Sequence, residues 1–348
     1  MTPMSQFRRL AVLYAILQLT VVVPVSATQD SQSVMEPWQL SELQTLVDVV
    51  SAAVRGKGEF SEEPFRMTTD FLKGMEGKTY VPFTLAIDPS RLTESSVAMY
   101  LYVTPQAEAS PAPSPDGTVE LPEPAFEDGH FIDVAVGEEG EPIEVTRAFA
   151  VTGGIYDVYV AVRDSLGADA DDESRLASTV MILKEEVEIP DFWNDELQAS
   201  SLIVAELVEP IDQPLSEAQQ VASPYTIGTT RIVPRMNREF STADEILTVL
   251  VPYNPRLTLA GQPDLTVDFS FYSKSDNGEE FFNRTSPQQF NALTLPPAFD
   301  LASGHQFVAG QAVSLSLFPV GSYRLEITVT DNVSGLNVVR EVSFVVNE

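Results

Sequence analysis

Two stretches decide the fold: GIYDVYVAVRD at Gly154–Asp164 and GSYRLEITVTD at Gly321–Asp331. Gly154, Tyr156, Val158, Val160, Val162 and Asp164 recur in the same spacing as Gly321, Tyr323, Leu325, Ile327, Val329 and Asp331. The apolar residues fall at period two, so they line one face of a strand while Asp157 and Arg324 point to the other. One phrase written twice implies two similar β domains. In each copy a tyrosine follows a glycine by two residues, the pattern of a tyrosine corner, in which the ring packs inside and the hydroxyl bonds to nearby backbone. Asp164 and Asp331 are then expected to accept turn hydrogen bonds at the start of the last hairpin, with Phe149 and Phe318 as matching core plugs.

Working outward, further short alternating segments surround each phrase. In the first half they run over residues 80–87, 97–103, 130–136, 143–150 and 178–186; in the second over 200–207, 225–233, 246–253, 265–272, 280–282 and 338–346. Such counts suit antiparallel sandwiches. The fold class is therefore all-β: two tandem immunoglobulin-like antiparallel β-sandwich domains, residues 75–188 and 200–348, with a short N-terminal helical segment. Within the N-terminal region 28–74, residues 38–54 place Leu40, Leu43, Val47, Val50 and Val54 at helical spacing, and Gly56 and Gly58 stop the helix. Residues 106–124 hold Pro111, Pro113, Pro115, Pro122 and Pro124, which cannot serve a central strand because proline has no ladder donor. This segment is expected to be a long exposed loop. The connector 189–199 carries Phe192 and Trp193, unlike a flexible Gly/Ser linker, and is expected to pack.

The chain opens with Arg8 and Arg9, an apolar run from Leu10 to Val25, and Val25-Ser26-Ala27. This reads as a secretory signal peptide over residues 1–27, too short in its apolar run for a spanning helix. Thr28 rather than cysteine follows the cut, so no lipid is attached there. The expected location is the periplasm, cell surface or exterior of a bacterium, with no integral membrane segment after cleavage. The 348 residues include no cysteine, which removes disulfides and thiolate chemistry together. Twenty Lys plus Arg stand against 51 Asp plus Glu, a formal charge of −31. That balance repels nucleic-acid phosphates and anionic headgroups, so no nucleic-acid partner is expected.

The inventory for chemistry is thin. The two histidines, His130 and His305, fall in different domains and cannot form one metal site. His305 has the carboxylate of Asp300 nearby but no nucleophile motif. No zinc-peptidase, phosphate-loop, dinucleotide or nucleophile-elbow motif is present, and carboxylate pairs are too abundant to single out a glycosidase dyad. Asp169, Asp171, Asp172 and Glu173 form the one candidate metal set, hard oxygen ligands on a loop that would suit calcium, although four close like charges also read as a solvated loop. Phe271, Tyr272, Phe281 and Phe282 are the ring cluster that a glycan-binding surface would use.

Tyr253-Asn254-Pro255, Phe281-Phe282-Asn283-Arg284-Thr285, Thr294-Leu295-Pro296-Pro297-Ala298-Phe299-Asp300 and Pro190-Asp191-Phe192-Trp193, with the Tyr323 strand, resemble a group of exported acidobacterial-type proteins with tandem Ig-like domains. These in turn distantly resemble proteins linked to von Willebrand factor A or GWxTD modules. The resemblance covers residues 75–348 and implies an exported, Ig-like chain without catalytic residues to transfer. The chain has neither a Gly-Trp-x-Thr-Asp sequence nor an Asp-x-Ser-x-Ser pattern, so the named modules are missing. The expected function is a non-catalytic interaction or scaffold protein of the bacterial cell envelope, partnered by another envelope or extracellular protein, with glycan binding as the alternative and hydrolysis as the remotest.

Overall fold

The computed structural model describes residues 16–17, 35–58, 60, 64–106, 121–134, 141–171, 174, 178–276 and 278–348. Within residues 1–27, Ile16 and Leu17 run antiparallel to Phe307 and Gln306. Most of the Pro-rich loop lies outside the described residues. The chain divides into two compact units, parting between Trp193 and Asn194.

In the first unit, one sheet is centred on Thr79–Ile87, which pairs with Ile143–Val151 on one side and with Arg66–Thr69 and Leu72–Lys73 on the other. The facing sheet runs Phe126–Asp133, Ser96–Pro105, Gly154–Asp164, Met181–Ile189, antiparallel throughout. Alternation aims Val81, Phe83, Leu85 and Ile87 from one sheet at Met99, Leu101, Val158, Val160 and Val162 from the other, with Phe149 between them. The sandwich starts earlier than residue 75: Arg66–Thr69 pairs into the sheet, and Phe65 and Met67 are buried in its core. Strands of four and two residues are too short to show a period, which is why the sequence gives no sign of them.

The α-helix Pro37–Val54 covers the outer face of the second sheet. Pro37 sits in its first turn, the Gln39 side chain accepts from the Glu36 amide, and Gly56 ends it at φ +70°. Gly58 lies so close that an added Cβ would stand 2.6 Å from Ala53 Cα. The buried stripe is Glu42, Leu46, Val50 and Ala53, rotated from the expected one, and Leu40 is exposed. Ala98 and Ala161 beneath allow the close approach that recruits Ala53 and Leu46.

The second unit repeats the plan. One sheet runs Thr226–Ile227, Thr230–Pro234, Ile203–Pro210, Glu245–Leu250, Ala309–Ser314; the other runs Glu239–Ser241, Asn337–Asn347, Gly321–Asp331, Leu265–Ser275, Gly278–Arg284. Gln288–Phe290 adds to the start of Leu265–Ser275. Glu239–Ser241 is parallel to its neighbour and closes that edge. The segment expected as one strand over 225–233 is a hairpin turned at Gly228, φ +57°. Ala309–Ser314, AGQAVS, was invisible because its inward side reads Ala309, Gln311 and Val313, with only Ala309 fully buried, and so shows no hydrophobic period.

Both tyrosines of the repeated phrase are buried and reach back four residues: Tyr323 Oη donates to Pro319 O at 2.7 Å, and Tyr156 Oη lies 3.0 Å from Thr152 Oγ1. Tyr323→Phe keeps the ring and loses the hydroxyl, so it is expected to cost about 1 kcal/mol, read as a small shift in the denaturation midpoint at unchanged slope. The aspartates do more than close the last hairpin. Asp331 Oδ1 accepts from Val333 N at 2.9 Å, while Oδ2 accepts from Ser334 Oγ at 2.6 Å and from Arg256 N at 2.9 Å, in the loop that precedes Leu265. Asp164 accepts from Thr93 N, Thr93 Oγ1 and Glu94 N, in the corresponding loop before Ser96. For Asp164 the local-turn expectation is thus replaced by a clamp on a loop some 70 residues away in sequence.

Candidate interaction surface

The outer face of the Gly154 strand and that of the Gly321 strand are equivalent by repeat but differently dressed. In the first unit Tyr159 and Ala161 join Ala98, Tyr100, Tyr102 and Ile182 to make an apolar seat for Leu46, Val50 and Ala53 of the helix. The tyrosine hydroxyls are carried out of the seam: Tyr100 Oη donates to Glu127 Oε1 at 2.6 Å and Tyr102 Oη to Pro122 O. Burial, and then the Glu127 carboxylate, push the Tyr100 phenol well above its ordinary value. Glu42 Oε1, itself buried, accepts from Leu166 N at 3.2 Å.

In the second unit the positions of Tyr159, Ala161 and Arg163 are taken by Glu326, Thr328 and Thr330, and no helix covers them among the described residues. Arg324 is the hub of this face. Its Nε is 2.9 Å from Glu279 Oε2, and its Nη1 is 2.7 Å from Glu326 Oε2 and 2.9 Å from Glu341 Oε2. The guanidinium lies 4.5 Å from the Tyr272 ring centroid. Its pKa is raised above the ordinary arginine value, first by the hydrogen bond it donates to Glu326, and the exposed Glu279 is lowered, first by the bond it accepts from Arg324. Phe281, 59% exposed, meets Tyr272 edge-on at 6.0 Å. The face is bordered by Gly278–Arg284, whose far side pairs with no other strand among the described residues.

The ring cluster expected for glycan contact is divided by the sheet. Phe271 is buried and Phe282 packs on Phe318 and Tyr323 inside, so only Tyr272 and Phe281 reach the outer face, at an interplanar angle of 82°. Trp193 stays half-exposed: its Nε1 donates to Lys78 O at 3.0 Å and Lys73 Nζ stands 4.5 Å over the ring, while Phe192 is fully buried. Burial pulls the Lys73 pKa down against the counter-pull of Asp191.

Of the proposed calcium ligands, Asp169 is exposed and Asp171 Oδ1 accepts from Ser174 N at 2.7 Å; Asp172 and Glu173 lie outside the described residues. Among the described residues no three His, Cys, Asp or Glu group as metal ligands, and no helix is long and apolar enough to cross a membrane. His130 Nε2 is 3.2 Å from Asp128 Oδ2. Burial pushes the Asp128 carboxyl up, but His130, the Gly129 amide and Arg147 together hold it below its ordinary value. His305 is buried and its Nδ1 accepts from the Asp300 backbone amide at 2.9 Å, which orients the ring.

No family model matches the chain, and no curated protein resembles it at a significant level. Among solved structures, the native conformation of Escherichia coli alpha-2-macroglobulin is 10% identical with a TM-score of 0.19, over 83% of this chain and 16% of that one. A Salmonella alpha-2-macroglobulin mutant is 11% identical with a TM-score of 0.17, over 82% and 17%. The E. coli protein activated by porcine elastase is 8% identical with a TM-score of 0.21, over 81% and 35%. The chain thus spans between 16% and 35% of the length of these structures.

Proposed function

We propose that this chain is a non-catalytic, exported scaffold of the bacterial cell envelope, built of two immunoglobulin-like sandwiches, that binds another envelope protein through the open sheet face of its second unit. The Ig-like reading is supported in both units by one strand order. With the hairpin of residues 226–234 in the second unit and strands of three residues or fewer set aside, the first, second and fifth strands of each sandwich share one sheet, and the third, fourth, sixth and seventh share the other. The back-bonded tyrosine at the start of the sixth supports it further. The apolar leader supports export, in keeping with the resemblance to exported acidobacterial-type chains.

The observation that carries the binding role is the contrast between the two equivalent faces. One is sealed by the chain's own helix, whereas the other presents Phe281 and Tyr272 beside an arginine fixed by three carboxylates. Fixed polar groups around an exposed ring lose little entropy on docking.

The test is a crosslinking pull-down from the native envelope with the purified chain as bait, in calcium and in chelator. The wild type is expected to capture a reproducible partner that Phe281→Ser and Arg324→Ala lose. Capture that both variants retain would remove the face from the reading, and dependence on calcium would assign the loop at Asp169 and Asp171 to binding.

A further inference from the structure

One end of the second sandwich has a character unlike the rest of the molecule. Three turns leave from the neighbourhood of Leu265, because Leu265 pairs with Asp331 on one side and with Phe290 on the other. They are residues 254–264, 291–294 and 332–336. Each displays an aliphatic side chain to solvent: Leu259 is 111% exposed, Leu293 95% and Leu336 58%, with Leu257 and Val333 also exposed.

These tips are held out by their own backbones. Thr258 N donates to Gln262 O and Gly261 N to Thr258 O, with Gly261 at φ +74°. Thr294 N donates to Asn291 O and Leu293 N to Asn291 Oδ1. Gly335 N donates to Asp331 O, and Asn332 ties the last turn to the first through Asp264. Leucines fixed in this way are unable to fold back onto the core.

Net charge is missing there too. In a chain of formal charge −31, residues 254–264, 291–294 and 332–336 hold two ionisable side chains, Arg256 and Asp264, of opposite sign. The Asp331 carboxylate at the base is fully buried among its donors.

We propose that this end is a peripheral membrane-docking tip that inserts its three leucine-bearing turns into the surface of a lipid bilayer of low charge. Separate convex tips suit a deformable apolar medium, whereas a protein partner would have to supply a pocket for each. A tip without net charge, whose one carboxylate, Asp264, is half-buried and accepts from Asn332, is the part of an acidic chain that approaches a bilayer with least repulsion. No basic cluster borders the turns, and Tyr253 beside the first of them is buried, so apolar burial rather than charge attraction drives the contact. Binding to anionic vesicles should therefore strengthen with added salt, the reverse of a polybasic anchor. The inference is independent of the scaffold reading, since a partner can be captured through the Phe281 face whether or not the tip meets lipid.

The absence of cysteine makes the test direct. An environment-sensitive dye is placed on the full chain at Leu259→Cys, Leu293→Cys or Leu336→Cys, with Glu280→Cys, in the edge strand opposite Ser273 near the other end of Leu265–Ser275, as the control. With zwitterionic phosphatidylcholine vesicles the three tip labels should brighten, shift to the blue and be quenched by bromine-labelled acyl chains, while the control stays unchanged. This depth readout is local to each label, so the apolar leader does not mimic it. Leu293→Ser in a chain labelled at Leu259→Cys should weaken the apparent partitioning of the tip about tenfold, with the thermal transition unchanged because the residue packs on nothing. Tip labels that remain in water on vesicle-bound protein would overturn the proposal, as would a blue shift without lipid that grows with protein concentration, which would assign the tip to a second copy of the chain.

Discussion

Asp331→Ala is expected to cost the second unit about 3 kcal/mol, since hydrogen bonds to a charged acceptor each contribute roughly 1.5–3 kcal/mol and orphaned buried donors add a penalty. The carboxylate is 0% exposed and gathers donors from the last hairpin and from the loop before Leu265, so its removal loosens two loops at once. For a domain of this size that loss lowers the thermal midpoint by roughly 6–12 °C. Asp164→Ala, partly exposed and clamping a single loop, should cost about half as much.

The pH dependence follows with a definite sign. Burial pushes the Asp331 carboxyl up, but Ser334 and the amides of Arg256 and Val333 outweigh it, and the folded-state pKa is lowered. A carboxylate lowered on folding stabilises the protein fully above its unfolded pKa, near 3.9, and that stability is lost as the pH falls through the folded value. Acid should therefore weaken the second unit below about pH 4, and the Asp331→Ala chain should lack that component. Equal acid sensitivity of the two chains in denaturant titrations would show that other carboxylates set it.

Leu46→Asp is expected to have the second large effect, releasing the N-terminal helix while the sandwich beneath stays folded. Leu46 is fully buried at the centre of the seam, and a carboxylate there would face Tyr100, Tyr102 and Ala161 without a partner. Truncating such a leucine to alanine alone costs about 2–5 kcal/mol. The seam cluster is separate from the inter-sheet core around Phe83 and Phe149, so the losses should be confined to the helix. Hydrogen exchange would show amides of Pro37–Val54 unprotected and those of Gly154–Asp164 still slow. Collapse of both together would mean that the helix is an integral part of the first unit's stability.

The sequence by itself determined the repeated strand. Period two in Gly154–Asp164 and Gly321–Asp331 is a local property, because residues two apart share a face whatever lies opposite, and the inward residues of both copies are buried as that period requires. The helix was legible for the same reason, with its glycine stop. Strands of two to four residues were not, since they hold too few residues to show a period.

What only the tertiary structure decided is the fate of the outward residues. Tyr159 and Ala161 read as ordinary strand positions until the helix, more than a hundred residues earlier in the chain, is placed upon them. Glu326 and Thr328 in the same register stay open around Arg324. Asp164 and Asp331 likewise gave no sign in sequence that they bind loops some 70 residues away. The leucine tips at residues 259, 293 and 336 came together only because three turns leave from one end of one strand. Periodicity fixes which way a side chain points, but the partner it meets is set by packing between distant segments, and no local pattern carries that information.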